Sequence, residues 1–389
     1  MVTQIIAELL INLVNKHPTI SYFIIMVLKN LRLSFFRNYH DLKIEFPDEG
    51  AIFEGQNGSG KTNVLESIYL LCTGKSQRNA KKVNMIHYNS EFSFIEGEFI
   101  SDQLTSVIAS YGFNRSKKIV MKLNDTIVGS VTEWFGKRPI VSFGVDDLDL
   151  VYGAPEIRRR YIDITCSQID TDYLSTLLQY TFYLKCRNHL LTHHFDSVQC
   201  EIYEQKMAET GSYLISKREN LIKEINTSYQ SFYKEICNHK EISKLVYIPS
   251  ISCDCSSRQE CKNVFYGMLQ ERRIKDLETG FSSVGPHRDD ICFLLNEKHA
   301  KSFGSQGQCR SIALSLKLSS VVCIEKYRKE KMIFLIDDAV SELDPQRTSR
   351  VIPLIESKGQ LFIASPKFSI PLKQSLQKFT ISEGNVVAS

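Results

Sequence analysis

The chain has 389 residues, of which 43% are hydrophobic and 24% charged, a composition that excludes a disordered, fibrous or very small protein. Its formal net charge of +4 gives no overall basic excess of the kind typical of many nucleic-acid-binding proteins. The 11 cysteines are an odd number without a disulfide framework, which predicts reduced thiols and a cytoplasmic location.

Residues 1–25 contain two apolar runs, neither of which reaches the length of a membrane span. No basic residue precedes the first run, as a signal peptide would require. We therefore expect a protein without a membrane segment. The extension is either a short docking helix or the product of a start assigned upstream of Met26.

Residues 26–150 are predicted to form the first part of the main domain and are rich in strand signals. The runs "VLKNLRLSFF" and "DLKIEF" flank a predicted turn at Arg37 to His40. Four more runs between residues 92 and 144, "FSFIEGEF", "TSVIAS", "KIVMKL" and "PIVSFG", predict an antiparallel sheet.

A phosphate-binding loop stands between these groups of strands, in "AIFEGQNGSGKTNVLESIYLL". An apolar strand leads into the glycine loop, and apolar residues at helical spacing follow it. The backbone N–H groups of such a loop bind phosphate oxygens, while Lys61 would reach the β and γ phosphates and Thr62 would bind Mg²⁺. The predicted nucleotide contacts are Gly55, Gln56, Asn57, Gly58, Ser59, Gly60, Lys61 and Thr62.

Residues 151–280 carry apolar residues at spacings of three and four, which predicts a helical insertion. Residues 281–389 would complete the main domain, with a turn at Gly285-Pro286, a hairpin at Asn296-Glu297 and a last strand over 360–365. Three cysteines gather at positions 253, 255 and 261, but they lack the paired C-x-x-C spacing of a zinc site.

A continuous apolar run, "KMIFLIDD", predicts a buried strand that ends in two carboxylates. A Mg²⁺ held by Thr62 needs a carboxylate at the tip of a neighbouring strand, and Asp337 is the predicted ligand. Asp338, one residue later, is the predicted catalytic carboxylate, which orients or deprotonates the attacking water.

Ser305 and Gln308 have the spacing of a capping box and predict a helix start in "SFGSQGQCRS". A helix start with Ser305 and Gly307 is either a well-capped helix or a second anion site. Because the phosphate loop already surrounds one side of a nucleotide, we expect this helix to reach the γ phosphate held by a second copy of the chain.

These motifs, in the order "GQNGSGKT", "SQGQ", "FLIDD" and "SELD", resemble the ABC-type ATPase head shared with SMC proteins. The segments "FRNY", "VGPHRDD", "SQGQCRSIALSLKL" and "LIDDAVSELD" resemble the RecF family of bacterial recombination mediators in particular. The resemblance implies an α/β fold, a P-loop ATPase head with a mixed sheet and an antiparallel β subdomain, and a helical lever-arm insertion.

For the site, the resemblance implies that Ser305, Gly307, Gln308 and Asp344 act across an ATP-bound dimer. It also implies that Arg37 and Asn38 lie near the nucleotide, and that Arg78 has a DNA or nucleotide role. Ser365 stands where transporter heads carry a histidine, which implies slow hydrolysis.

For function, the resemblance implies that an ATP-sandwiched homodimer clamps double-stranded DNA near single-strand gaps. The dimer would help the partners RecO and RecR to load the recombinase RecA, and a weak DNA-stimulated ATPase would reset it. A transporter-type ATP-binding subunit and a scaffold that binds ATP without hydrolysis are the alternatives.

The sequence leaves two points open. Gln77 and Gln103 are both poor matches to the glutamine that couples partner and nucleotide in ABC-type heads. Three basic clusters are either solvated surface, which is the commoner case, or phosphate contacts, and the sequence does not decide which would bind DNA: Arg115/Lys117/Lys118/Lys122, Arg158/Arg159/Arg160 and Arg272/Arg273/Lys275.

Overall fold

The computed structural model describes residues 26–78, 80–101, 105–193, 195–237, 241–252, 257–338, 345–368, 372, 376–382 and 384–388. The predicted extension, residues 1–25, lies outside this part of the chain. A search of the described residues finds no helix that combines the length and hydropathy of a membrane span.

The strands, in chain order, are β1 Met26–Phe36, β2 Tyr39–Glu45, β3 Gly50–Glu54, β4 Phe92–Ser101, β5 Ser106–Asn114, β6 Ile119–Leu123, β7 Thr126–Ile127, β8 Ile140–Gly144, β9 Ser243–Ile248, β10 Asp290–Leu295, β11 Lys298–His299, β12 Met332–Asp337, β13 Gly359–Ser365, β14 Gln377–Ser382 and β15 Asn385–Ala388. The α-helices are α1 Lys61–Thr73, α2 Val131–Trp134, α3 Asp149–Tyr152, α4 Pro155–Ile169, α5 Thr171–Thr192, α6 Ser197–Ile236, α7 Arg258–Thr279, α8 Ala300–Phe303, α9 Gln306–Arg328 and α10 Pro345–Glu356.

The phosphate-loop sheet has the strand order β15-β14-β3-β13-β12-β8, and all of its pairs except β14 with β15 are parallel. Its central strands β3, β12 and β13 are mainly apolar and buried along nearly their whole length, because helices or other sheets cover both faces. The predicted strands at 332–337 and 360–365 are confirmed, and they are neighbours. The prediction that 360–365 is the last strand was wrong, because β14 and β15 follow it in the same sheet.

A second, antiparallel sheet has the order β2-β1-β4-β5-β6-β7 and packs on the same core as α1. This confirms the antiparallel subdomain, with one correction. The run "PIVSFG" was predicted to join it, but β8 pairs in parallel with β12 in the phosphate-loop sheet. Short apolar runs look alike in both kinds of sheet, and only the long-range pairing decides between them.

The insertion consists mainly of α4, α5, α6 and α7, as predicted, but it also contains a strand. β9 pairs with β10, and with β11 the two form a three-stranded antiparallel sheet. The sequence prediction of a purely helical region was therefore wrong at Ser243–Ile248. Because its hydrogen-bonding partner comes more than forty residues later, local periodicity alone does not reveal this strand.

Residues after the predicted boundary at 280 share a core with the insertion. Ile291 and Phe293 of β10 are buried in the same apolar cluster as Leu214 and Phe265 of the insertion helices. α9 packs along α6 and contributes to the same cluster. The chain thus links the insertion to the phosphate-loop sheet through one long buried helix.

Candidate nucleotide-binding site

The phosphate loop lies at the carboxyl edge of its parallel sheet, between β3 and α1. Gly58 and Gly60 have φ values of 82° and 118°, in the region that only glycine adopts readily. A Cβ atom on Gly60 would lie 2.6 Å from both Asn38 Nδ2 and Tyr39 Oη. A side chain is therefore excluded at this position by torsion and by space.

Lys61 begins α1, and its side chain is only 4% exposed. The ammonium group folds back over the loop and donates to the carbonyl oxygens of Gly55 at 2.8 Å and Gln56 at 2.9 Å. These bonds hold the charged ammonium group of Lys61 against the loop. The N-terminus of α1 adds further positive charge at the same place. The loop therefore presents positive charge and N–H groups, an arrangement suited to an anion.

The turn between β1 and β2 supports this loop. Asn38 Nδ2 donates to Ser59 O at 3.0 Å, Asn38 Oδ1 accepts from Asn63 Nδ2 at 2.8 Å, and Tyr39 Oη donates to Gly60 O at 3.0 Å. The structure thus brings Asn38 against the phosphate loop. Sequence reasoning assigned no role to Tyr39, although it is the last residue of the "FRNY" segment.

Arg37, at the same turn, contacts the helix behind the loop. Its guanidinium donates two bonds to the carboxylate of Glu66 on α1, at 2.9 and 3.0 Å, and one to Asn84 O at 2.8 Å. Glu66 is buried and also accepts from Ser76 Oγ at 2.5 Å. The contacts observed for Arg37 support α1, and its nucleotide contact stays a prediction.

Thr62 and Asp337 meet at this edge of the sheet. Thr62 Oγ1, in the first turn of α1, donates to Asp337 Oδ1 at the end of β12, at 2.7 Å. The two oxygens are adjacent although 275 positions separate the residues. Burial raises the pKa of the Asp337 carboxyl, against smaller lowering effects from the Thr62 hydrogen bond and the charge of Arg78.

A cavity of about 420 Å³ opens beside these two residues. Its wall includes Thr62, Asp337 and Asp338, together with Gln77 and Arg78. Gln77 looked like a poor match in the sequence, and Gln103 lies outside the described residues. The fold brings Gln77 to the site because the segment after α1 turns back toward β12, which no local pattern reveals.

Asp338 follows β12 with a φ of 50°, an uncommon backbone conformation for a residue other than glycine. Its backbone N–H donates to Ala364 O at 3.1 Å, which fixes the bend. The side chains of Asp337 and Asp338 line one cavity, so the predicted metal and catalytic carboxylates lie together. Ser365, at the end of β13, is buried and donates to Lys367 O at 3.0 Å.

The predicted signature residues lie at the start of α9. Ser305 Oγ accepts from Gln308 N at 3.3 Å and Ser305 N donates to Gln308 Oε1 at 2.6 Å, which confirms the capping box. Ser305, Gly307 and Gln308 are not among the described residues that line the Thr62 and Asp337 cavity. Asp344 lies outside the described residues.

One contact connects this helix with the cavity wall. Lys317, on α9, donates to the carboxylate of Asp147 and to Ser142 O, both near the end of β8. Asp147 lines the cavity. Sequence analysis did not identify this pair, because a single lysine in a mainly apolar helix has no distinctive pattern.

The metal prediction fits the side chains present. Thr62 and Asp337 supply hard oxygen atoms, the donor type that Mg²⁺ prefers, and Mg²⁺ sites commonly use few protein ligands beside phosphate oxygens. Within the described residues, no group of three or more His, Cys, Asp or Glu side chains forms a separate metal site. Cys253 and Cys255 lie outside those residues.

Comparisons with known proteins agree with this fold. A family model described as AAA domain matches residues 30–279. The DNA replication and repair protein RecF of Natranaerobius thermophilus is 34% identical over 380 residues, which cover 93% of this chain and 98% of that protein. The protein of the same name from Staphylococcus haemolyticus is 32% identical over 372 residues, with 93% and 100% covered.

Among solved structures, the recombination mediator RecF with ATP, from the RecFOR pathway, matches with a TM-score of 0.88 at 30% identity, covering 96% of this chain and 100% of that one. RecF with the nucleotide ATPrS matches with a TM-score of 0.86 at 31% identity, covering 93% and 98%. An SMC head domain from Pyrococcus furiosus shares the fold alone, with a TM-score of 0.53 at 14% identity over 94% of this chain and 96% of that one.

The predicted ATPase-head fold is thus confirmed, with relatives that match along nearly their whole length. The chain belongs to the RecF family of DNA replication and repair proteins.

Proposed function

We propose that this protein is an ATP-dependent DNA clamp that acts in recombinational repair. Two copies would dimerise around two ATP molecules, bind double-stranded DNA near single-strand gaps, and assist RecO and RecR partners in loading RecA. The observation that carries the proposal is the contact of Thr62 with Asp337 beside the phosphate loop, at 2.7 Å. That contact assembles the residues of a nucleotide site from two distant parts of the chain.

The phosphate loop, Lys61 and the N-terminus of α1 would hold the phosphate chain of ATP. Thr62 and Asp337 would hold Mg²⁺, which supplies positive charge against the phosphate oxygens when bound. Asn38 and Tyr39 would keep the loop in shape through their bonds to Ser59 and Gly60. The matching RecF structures with ATP and ATPrS support nucleotide binding by this chain.

Hydrolysis requires a group that accepts a proton from water. In this step the water oxygen bonds to the terminal phosphorus and the bond from that phosphorus to the oxygen of ADP breaks. The water proton passes to the Asp338 carboxylate, which lines the cavity next to Asp337. A small residue at Ser365, in place of a histidine, fits a slow reaction that serves as a switch.

The start of α9 supports a composite site. Its N–H groups and the Ser305 cap form an anion-binding terminus, yet Ser305 lies outside the cavity that Thr62 and Asp337 line. A second copy would bring this terminus to the γ phosphate. ATP would then hold the dimer together, and hydrolysis would release it.

Fluorescence anisotropy of a labelled gapped duplex tests the proposal. Protein is titrated into the duplex with ATP, with ADP and without nucleotide, at two salt concentrations. We expect tight binding only with ATP, and weaker binding at higher salt because phosphate contacts release counterions. Binding that ignores the nucleotide would contradict the clamp.

Phosphate release measured on the same samples separates the clamp from a scaffold that binds ATP without turnover. We expect slow release that rises when DNA is added. Tight ATP-dependent DNA binding with no release would identify the scaffold. A transporter subunit is disfavoured because the chain matches RecF proteins over 93% of its length.

A further inference from the structure

A groove of about 860 Å³ lies between the antiparallel sheet and the insertion. Four cations from separate segments line it, and we call it the cationic groove. Lys75 follows α1, Lys82 begins a 3₁₀ turn, Lys118 lies on the hairpin between β5 and β6, and Arg160 lies on α4. Its lining consists of Gly74, Lys75, Ser76, Ala80, Lys82, Met85, Tyr111, Lys118, Ile119, Val120, Met121, Ile127, Val128, Gly129, Val131 and Arg160.

The charge of the cationic groove is unbalanced. Its described lining contains four cationic side chains and no carboxylate. Within the described chain, no carboxylate lies within ion-pair distance of Lys75, Lys82 or Lys118, although many other surface cations are paired.

The lysines also repel one another. Burial lowers the pKa of Lys75, and the charge of Arg160 lowers it further. Burial likewise lowers the pKa of Lys82, with a second contribution from Lys75. Asp163 offsets part of the effect on Lys75, but its own carboxylate is paired with Arg218 at 2.8 Å. An anion in the groove would relieve this repulsion.

The remaining lining favours a polymer backbone over base recognition. It consists largely of apolar side chains from β6, β7 and the segments beside them, and the Lys82 ammonium lies 5.5 Å from the centre of the Tyr111 ring. Two side chains of the described lining carry hydroxyls, and both donate to the protein itself: Ser76 to Glu66 at 2.5 Å and Tyr111 to Gly74 O at 3.1 Å. The described lining holds no Asn, Gln, Asp or Glu side chain of the kind that recognises adenine or cytosine edges, and its cations suit the phosphates that carry the charge of DNA.

The cationic groove adjoins the nucleotide site. Arg160 lines both the groove and the cavity beside Thr62 and Asp337. Its guanidinium donates to Ser76 O at 3.2 Å, and Ser76 Oγ in turn accepts from the backbone N–H of Arg78 at 3.1 Å. A ligand in the groove would therefore contact the segment that places Arg78 in the same cavity wall as Asp337.

We propose that the cationic groove binds the sugar-phosphate backbone of DNA, with Lys75, Lys82, Lys118 and Arg160 as the phosphate contacts. This inference rests on the proposed function, because it names the surface through which the clamp holds DNA. Of the three basic clusters in the sequence, it selects members of two and joins them with Lys75 and Lys82, which belong to none.

The test compares the double variant Lys75→Gln/Lys82→Gln with the control double variant Lys185→Gln/Lys331→Gln. Both variants lose two positive charges, and the control residues are exposed and outside the groove. Anisotropy with a gapped duplex and ATP should show roughly tenfold weaker binding for the groove variant at moderate salt. The slope of log K against log salt should fall by about 2, since each lost phosphate contact removes about 0.9.

Two further variants show whether a loss of DNA binding comes from the lost charges or from a folding defect. Lys75→Arg/Lys82→Arg preserves the charges and should bind DNA like the wild type. Lys118→Gln changes an exposed hairpin residue, and should weaken DNA binding about threefold and lower the salt slope by about 1.

The outcomes separate the two proposals. If the wild type shows no ATP-dependent DNA binding, the clamp and the groove both fail. If the wild type binds but the groove variants match the control, the groove proposal alone is overturned. ATP titrations and competition with inorganic phosphate distinguish the source of the anion. A groove variant with weakened ATP affinity and unchanged DNA affinity would assign the groove to free phosphates and overturn the proposal.

Discussion

At the scale of single residues, the nucleotide site depends on contacts between groups that are far apart in sequence. Thr62 and Asp337 lie on α1 and β12, and the Asp337 carboxyl is buried enough to raise its pKa. Asp338 differs from its neighbour in backbone conformation, with a φ of 50°. Two adjacent carboxylates therefore occupy different positions, which fits different roles.

Replacement of Asp338 by Asn should separate these roles. We expect ATP-driven dimerisation to remain and hydrolysis to fall roughly 100-fold or more, because the proton acceptor is lost and the shape is kept. Asp337→Asn should instead weaken Mg²⁺-dependent ATP binding itself. Analytical ultracentrifugation with ATP, together with phosphate release, measures both. A variant Asp338→Asn dimer that dissociates as fast as the wild type would remove Asp338 from catalysis.

Arg37 is expected to act mainly on stability. Its bidentate contact pairs Glu66, whose side chain is 1% exposed, so Arg37→Ala leaves a buried carboxylate unpaired. We expect the free energy of unfolding in urea to fall by roughly 3 kcal/mol. The control Arg32→Ala removes a 48% exposed arginine of β1, the strand that leads into the turn, and should change stability by less than about 0.5 kcal/mol.

A second variant decides between a structural role and a nucleotide contact. Arg37→Ala/Glu66→Gln should recover part of the lost stability, because the unpaired charge is gone. If ATP affinity stays reduced in this recovered variant, Arg37 also contacts the nucleotide. Full recovery of ATP affinity would contradict the contact that the family resemblance implied.

At the scale of elements, the segment "GPHRDD" joins the insertion helices to the three-stranded sheet. Arg218 of α6 donates to Pro286 O at 2.6 Å and to Asp289 at 3.0 Å, and Asp289 also accepts from Tyr247 of β9 at 2.5 Å. Asp289 is 1% exposed, so its charge depends on these donors. The motif is thus explained by packing within the insertion.

His287 of this segment predicts a pH dependence of stability. Burial lowers its pKa from 6.5 to about 4, and its ring nitrogens contact Tyr180 Oη at 2.7 Å and Ser282 O at 2.9 Å. Between these two pKa values the unfolded chain binds a proton that the folded chain does not. The contribution of His287 to stability is therefore constant above about 6.5 and falls as pH decreases toward about 4.

Urea unfolding at about pH 7 and about pH 5 should show a loss of about 2 kcal/mol from this group. His287→Gln keeps a polar side chain without a titration in this range, so its stability should change less between the two pH values. If the pKa of His287 were unshifted, the free energies of unfolding of the wild type and the variant would differ by the same amount at both pH values. That result would contradict the expected dependence.

At the scale of the whole molecule, α9 connects the regions that a switch must coordinate. Its N-terminus carries the Ser305 cap, its middle carries Lys317 bonded to Asp147 at the nucleotide cavity, and it packs along α6 of the insertion. A contact made at the start of α9 by a second copy would therefore act on the same rigid helix that lines the insertion core.

A mixture of Ser305→Arg chains and Lys61→Met chains tests the composite site. Each variant alone should release no phosphate, since every site in its dimers lacks either Lys61 or Ser305. In the mixture, half of the dimers pair one chain of each kind and hold one intact site. We expect roughly a quarter of the wild-type rate if the sites act independently. Mixed dimers are verified with differently tagged chains, and no activity in verified mixed dimers would contradict the two-chain site.

Much of the site could be predicted because its motifs are local. The glycine loop requires torsions that glycine supplies, and the cap of α9 requires Ser305 and Gln308 at a fixed spacing. A buried strand followed by Asp337 is similarly visible in a short window. These features depend on backbone chemistry within a few residues, so the sequence by itself determined the phosphate loop, the helix start and the place of Asp337 at the end of a buried strand.

Other features depend on which distant segments meet, and only the tertiary structure decided them. The pairing of β8 with β12, the strand β9, the position of Gln77 beside Asp337 and the contact of Arg37 with Glu66 all have this origin. The cationic groove is the clearest case. Its four cations come from four separate segments, so no local pattern in the sequence contains all of them. Local patterns encode backbone torsion and burial, whereas charge balance and pairing are set by packing in space.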